Sequence, residues 1–286
     1  DMYRRFRNIF RFLLQNTSDF QWADHGVAAA NLGEMDRWIL SHFEAVKRRV
    51  MEAYDRYEFH VVLSEMNRFS AVSLSGFYLD AMKDWLYCEA VDSPKRRSAQ
   101  TALAALTRGM AVCLSPVLSF TAEEAYLAFR ERSRPDLPES VFLDEVSSLD
   151  RFDEDPALAE KWEAVLAIRS LVNDALDKAR KAKVLRSSQE ARVILDPRQM
   201  PEAHGTMLTG ASEDWAFLFQ VGEVRVADGG PMGEAVRVEK GEAAKCARCW
   251  RHRPSVGTRQ DHPALCDRCA GVLEGLVKPA SAKTTD

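Results

Sequence analysis

Four of the six cysteines fall into two pairs near the end of the chain, within "KCARCWRHRPSVGTRQDHPALCDRCAGVL". Cys246 and Cys249 are separated by two residues, as are Cys266 and Cys269, and sixteen residues, Trp250 to Leu265, lie between the pairs. A tetrahedral Zn2+ takes four soft ligands at about 2.3 Å, and a CxxC turn presents two thiolates from one tight knuckle. Two knuckles together make a closed structural site with no position left for a substrate. Two disulfides or a redox dithiol are the competing uses. A thioredoxin-like pair needs a βαβ context and a single CxxC, and the absence of a secretory segment argues against disulfides. The reading is therefore one structural zinc held by Cys246, Cys249, Cys266 and Cys269. His252 and His262 are read as loop residues, since four thiols already complete the set. Pro254, Gly257 and Pro263 suit a ribbon and not a helix. In so short a ribbon the metal is expected to supply most of the stability, on the order of 10 kcal/mol.

Basic and aromatic residues crowd the first knuckle. Lys245, Arg248, Trp250, Arg251, His252 and Arg253 are nearly contiguous, with Arg259 and Arg268 beyond. A tryptophan beside arginines is a base-stacking and phosphate-binding set, and stacking contributes roughly 1–3 kcal/mol per base. The bland alternative is that Trp250 covers the metal site and the arginines are solvated. Nucleic-acid contact is the favoured reading. Because 43 acidic residues outnumber 39 basic ones, any such contact must come from a local surface and not from net charge.

The elements that would position this module come before it. Tyr3, Phe6, Phe10, Leu13, Thr17 and Phe20 are spaced three and four apart, one face of a helix with arginines between. Asn31 and Glu34 have the spacing of a capping box opening a helix through "EMDRWILSHFEAVKRRVMEAY", and Thr121 with Glu124 suggests another before "AYLAFRE". Ser93-Pro94 reads as an N-cap followed by proline at the first turn. Helical period continues through "RYEFHVVLSEMNRFS" and "LSGFYLDAMKDWLYC". Residues 1–132 read as a helical bundle, and the Pro-, Ser- and acid-rich segment 133–155 as a connector along the surface. Residues 156–239 read as a small α+β domain. Its helix carries Leu158, Trp162, Val165, Val172, Leu176 and Ala179 on one side, and "ARVIL", "FLFQV", "VRV" and "AVRVE" are short β-rich runs between turns. The zinc ribbon occupies 240–277, and 278–286 are expected to fray. The fold class is thus mainly α, a bundle followed by a small α+β domain and a terminal four-cysteine ribbon. No membrane span or secretory segment is present, since Arg4, Arg5, Arg7 and Arg11 interrupt the aromatic-rich start. Beginning at Asp1 in the middle of a helical pattern, the chain reads as a piece of something longer.

The knuckle "CARCWRH" followed by "LCDRC" resembles the C-terminal zinc module of isoleucyl-tRNA synthetases, and a related ribbon closes the formamidopyrimidine-DNA glycosylases. "YRRFRNIFRFLLQNTSDF", "MDRWIL", "FYLDAMKDWLYC" and "SPVLSFTAEEAY" resemble successive stretches of the synthetase anticodon-binding domain. "IRSLVNDALDKARKAKVLRSSQEARVIL" resembles the segment leading into its small C-terminal domain. The resemblance runs in order from residue 3 to about 275 and implies the tRNA-facing part of a class I ligase that attaches isoleucine to its tRNA using ATP. HIGH-type and KMSKS-type signatures are absent, so the ATP chemistry belongs outside these residues and the piece alone is not expected to be catalytic. The resemblance also implies a cytoplasmic, monomeric protein whose partners are isoleucine tRNA and the catalytic domain of the same chain. The tRNA-contact candidates are Arg248, Trp250, Arg251 and Arg253 in the ribbon, with Arg4 and Arg7 on the first helix. Arginines interleaved with a buried stripe are equally often just its solvated face; Arg5 and Arg11 share that ambiguity.

Two other classes compete. A DNA glycosylase needs a helix–two-turn–helix beside the ribbon, whereas short β-runs precede it here. A purely structural ribbon, packed on another part of the same protein, remains compatible with the residues. Glu123-Glu124 looks like a carboxylate pair, but Glu124 is better explained as capping. Trp38, Trp85 and Trp162 read as core, and Cys88 and Cys113 as buried thiols. No Ser/His/Asp set and no phosphate-cradling glycine loop occurs.

Overall fold

Helix α1 (Met2–Asn16) turns Phe6, Ile9, Phe10 and Leu13 inward, and Thr17 and Phe20 continue the buried stripe past its end. Tyr3 departs from the expected stripe: it is 53% exposed and its hydroxyl meets Thr121 Oγ1 at 3.2 Å, so burial begins one turn later. The computed structural model describes residues 1–210, 214–230 and 232–277. The chain divides into two units, 1–159 and 160–286. The expected fraying of 278–286 lies outside the described residues.

In the first unit, α1 is followed by a short α2 (Trp22–His25), α3 (Glu34–Asp55) and α4 (Phe59–Arg68). A π-helical stretch, Phe69–Tyr78, joins α4 to α5 (Leu79–Cys88), and α6 (Pro94–Leu114) and α7 (Ser119–Ser133) complete the bundle. The π stretch keeps Phe69, Leu74, Phe77 and Tyr78 inside by i→i+5 bonding, a winding that a 3.6-residue period does not predict. Helix α6 is the centre: every residue from Arg97 to Leu114 is buried. Its alanines let neighbours approach, and Gly109 is obligatory there, because a Cβ would sit 2.5 Å from Cε1 of Phe43. Ser93 occupies the N-cap position of α6 with Pro94 at the first turn, as its sequence indicates, but its hydroxyl makes no capping bond and donates to Glu89 instead.

Both expected capping boxes fail. Asn31 lies in a 3-10 turn (Ala29–Asn31), and Gly33 occupies the N-cap of α3 with its N–H donating to Ser98 Oγ at 2.8 Å. At α7 the N-cap is Leu118; Thr121 reaches Tyr3 and Glu123 accepts from the N–H of Val141. In both places a partner distant in sequence takes the group that a local cap would have used.

Beside the α3 N-terminus, Asp36 is fully buried and accepts from the hydroxyls of Tyr78 and Ser98. Burial raises its pKa from 3.8 to about 6, the two hydroxyls opposing the shift only in part. Within that window the folded state keeps a proton that the unfolded chain has released. Stability must therefore fall as pH rises through the window, by about 3 kcal/mol at most, and stay level above it. Asp36→Asn is expected to remove this fall. Urea unfolding at about pH 4.5 and about pH 7.5 should show the variant gaining on the wild type toward the higher pH; a difference independent of pH would contradict the assignment.

The segment expected to connect the domains over the surface is tied into the first unit. Arg108 of α6 and Asp144 form a bidentate pair, Nη2–Oδ1 2.8 Å and Nε–Oδ2 2.9 Å, with side chains only 4% and 1% exposed. Ser148 bonds both partners, and Asp150 lies between Arg108 and Arg134.

In the second unit, helix α8 (Pro156–Lys181), whose first turn contains the division, buries Trp162, Val165, Ile168, Val172 and Leu176. Then come β1 (Ala191–Leu195), α9 (Glu202–Gly210), the short α10 (Trp215–Leu218), β2 (Glu223–Val226), β3 (Val236–Lys240) and α11 (Asp267–Val277). β1 is central, parallel to β2 and antiparallel to β3, and alternates with Ala191, Val193 and Leu195 buried. "FLFQV" is not a strand. Asp214 accepts from the N–H of Phe217 at 3.0 Å and starts a helical turn there. A short continuous apolar run has no period to separate the two states, and the cap decides. Among the described residues, no helix is long and apolar enough to cross a membrane.

Candidate metal centre and its basic surround

The first knuckle is a short hairpin. Lys245 and His252 pair across it, the Cys246 N–H donates to the Arg251 carbonyl at 2.9 Å, and the Trp250 N–H to the Cys246 carbonyl at 3.0 Å. The second knuckle opens α11, and the Ala247 N–H donates to the Ala264 carbonyl at 3.0 Å, joining the two. The four sulfurs of Cys246, Cys249, Cys266 and Cys269 all lie within 4.8 Å of one another. Cys249 Sγ and Cys266 Sγ are 3.9 Å apart. Tetrahedral ligation at about 2.3 Å requires sulfurs about 3.8 Å apart, whereas a disulfide requires about 2 Å. The donor set therefore fits one structural Zn2+. His252 is accounted for otherwise, with Nδ1 donating to the Ala243 carbonyl at 2.7 Å.

The backbone already favours thiolates. Burial works against charge on Cys246, but the N–H groups of Cys249, Cys266 and Arg248 stabilise its thiolate and bring its pKa down to about 6; the Cys266 N–H lies 3.3 Å from that sulfur. Burial pushes Cys249 and Cys266 the other way, and their neighbouring thiols add to the rise. Four thiolates around one divalent cation leave a net charge of −2, and Arg248 answers it: Nη1 lies 3.7 Å from Cys269 Sγ. A donor that contacts a ligand sulfur in this way orients the ligand and tunes the site.

The four ribbon residues singled out by sequence part company here. Trp250 is 67% exposed at the tip of the knuckle, held at φ +63° with Lys245 Nζ 5.3 Å from its ring centroid. Arg248 is half-buried against the cluster. Arg251 is buried, with its guanidinium 5.1 Å from the Phe217 ring centroid, and Arg253 lies 4.0 Å from Asp214. A CxRCWR string puts all four in one patch on paper; the hairpin alternation turns them to different sides. On α1, Arg4, Arg7 and Arg11 are exposed and make no side-chain hydrogen bond or ion pair among the described residues, while Arg5 is bonded to Asn67. Lys245 was legible as part of the basic crowd but its place over the ring was not. Arg132, which shares a groove with Arg7 and Arg11, had no sequence signal beyond helical period. Cys88 and Cys113 are both buried, as expected, and burial raises the Cys113 thiol to about 12.

Comparison with known proteins places both the helical bundle and the four-thiol ribbon. Residues 36–195 match the family model described as "Anticodon-binding domain of tRNA ligase", and the chain belongs to that family. Residues 244–271 match "Zinc finger found in FPG and IleRS". The chain is similar to the isoleucine–tRNA ligases of Syntrophotalea carbinolica (42% identical over 281 residues, 96% of this chain and 30% of the relative) and Paraburkholderia phytofirmans (38% over 274 residues, 96% and 28%). It is also similar to that of Burkholderia orbicola (38% over 270 residues, 93% and 28%). The chain thus spans less than a third of the length of these relatives.

Proposed function

We propose that this chain is the tRNA-reading region of an isoleucine–tRNA ligase. In this reading the bundle holds the anticodon stem-loop and the zinc ribbon carries Trp250 to an unstacked base. The whole protein attaches isoleucine to its tRNA with ATP bound outside these residues, as a cytoplasmic monomer whose catalytic domain is the partner of this region. The observation that carries the reading is Trp250: a large aromatic, mostly exposed, at a left-handed backbone position that bulky residues adopt only at a cost of about 1–3 kcal/mol, on a metal-fixed turn. Lys245 beside the ring adds the positive charge that a nucleotide requires. Unpaired bases in RNA loops are read by stacking on aromatics and by their exposed edges. Binding here would contribute to catalysis only by stabilising the geometry in which the acceptor end reacts.

The second reading, a structural ribbon, draws on Arg251 over Phe217 and Arg253 beside Asp214, both within the second unit. These contacts assign Arg251 to seating the ribbon more readily than to phosphate binding. Trp250→Ala distinguishes the two. On the tRNA reading it lowers affinity for isoleucine tRNA by roughly 5- to 100-fold, the equivalent of one lost base stack, without changing zinc content. Unchanged tRNA affinity together with a lower melting temperature would favour the structural ribbon.

A further inference from the structure

We propose that the groove between α1 and α7 takes the sugar–phosphate backbone of an RNA strand, with Arg7, Arg11 and Arg132 holding phosphates and Glu124 accepting from a 2′-hydroxyl. This rests on the tRNA reading above and adds to it a site and a means of telling RNA from DNA.

The two helices run in the same direction. Tyr3 meets Thr121 at one end, while the Thr17 carbonyl meets Ser133 and the Arg132 carbonyl accepts from Gln21 at the other. Between these closures lies an open groove of about 600 Å3. Its floor is shallow in side chains because α7 supplies Ala125 and Ala128 there. Arg7, Arg11 and Gln15 stand one turn apart along one wall, about 6 Å per step, and Glu124 and Arg132 stand on the other. From Thr121 to Arg132 the groove runs about 16 Å.

Many arginines of the bundle are matched to acids: Arg48 to Glu154, Arg49 and Arg68 to Glu65, Arg96 to Asp19, Arg108 to Asp144 and Arg134 to Asp136. Among the described residues Arg7, Arg11 and Arg132, like the exposed Arg4 and Arg37, have no such match; what sets these three apart is that they line one groove, in which Glu124 pairs with none either. Three unneutralised guanidinium groups on a concave wall are a phosphate track. A lone carboxylate in the same track repels phosphate at its own position and accepts a hydrogen bond, which the 2′-hydroxyl of ribose can donate and deoxyribose cannot.

The test uses the zinc-loaded chain and measures binding of isoleucine tRNA, and of DNA of the same sequence, across a salt series. Arg7→Gln/Arg11→Gln/Arg132→Gln is expected to lower tRNA affinity at least tenfold at low salt and to reduce the log–log salt slope by about 2, near 0.7 for each lost contact. Glu124→Gln is expected to raise DNA binding and narrow the preference for RNA. A triple variant with unchanged slope, beside a wild type that binds tRNA and a Trp250→Ala variant that binds it less, overturns the groove and leaves the parent reading standing. An unchanged RNA-to-DNA ratio in Glu124→Gln overturns the part given to the carboxylate. A wild-type chain that binds no tRNA overturns both.

Discussion

Cys269→Ser is expected to unfold the ribbon while leaving the bundle intact. Cys269 is fully buried, and the apolar interior of residues 244–271 is small: beside the ligands it holds Ala270, with Val256 and Leu265 only partly buried against the cluster. Little apolar core stands behind the metal. A serine hydroxyl is a poor zinc ligand at neutral pH, so the substitution removes one of four bonds in a site whose binding energy is also its folding energy, on the order of 10 kcal/mol. It also removes the sulfur that Arg248 Nη1 approaches at 3.7 Å. Amide hydrogen exchange should show protection lost across the two knuckles and retained in α1 to α7, with zinc content falling to near zero. Retained zinc and a protected Cys246 N–H would mean that the site closes on three thiols and that the metal is not what orders the segment.

The second large effect belongs to the first unit. Asp144→Ala is expected to destabilise the bundle by about 3–5 kcal/mol, because it leaves the buried Arg108 guanidinium without its bidentate partner and with only Ser148 and the longer 3.5 Å contact to Asp150. Burial opposes the charge on Asp144, but Arg108, Ser148 and Tyr126 together hold its pKa below the ordinary carboxylate value. A depressed carboxylate contributes stability above the unfolded value of about 3.9 and loses it as pH falls through the folded value. Asp144 therefore accounts for part of an acid-side loss of stability, opposite in sense to Asp36, which is penalised toward neutrality. Arg108→Met/Asp144→Leu should cost much less than either single loss of a partner, since no charge is then left buried. Thermal or urea unfolding of the three variants decides this; a double variant as damaged as Asp144→Ala would point to backbone rearrangement of 141–150 and not to the charge.

The parts that were legible in sequence share a physical feature: they depend on local spacing. Two CxxC turns named the four sulfurs that lie within 4.8 Å of one another, and the stripe on α8 marked its buried face. Ser93-Pro94 marked the start of α6 because proline at a first turn loses nothing. What the sequence did not disclose depended on distant partners. Asn31 and Thr121 have capping spacing, but Ser98 satisfies the Gly33 N–H at one end and Tyr3 engages Thr121 at the other. The π winding of Phe69–Tyr78 and the helical turn at Trp215–Leu218 were hidden by continuous apolar runs, which carry no period. At the candidate site, a contiguous CWRHR string could not say that Trp250 faces solvent while Arg251 faces Phe217. Nor could spacing alone bring Arg132 to the side of Arg7 and Arg11, since that needs the parallel packing of α1 and α7.

The most direct test of the tRNA reading is the binding of the zinc-loaded chain to isoleucine tRNA and to a non-cognate tRNA, each at two salt concentrations, with and without a chelator. The account predicts preference for the cognate tRNA, weakening with salt as phosphate contacts require, and a loss of that preference when zinc is removed. Equal affinity for the two tRNAs, or no binding to either at low salt, would contradict it.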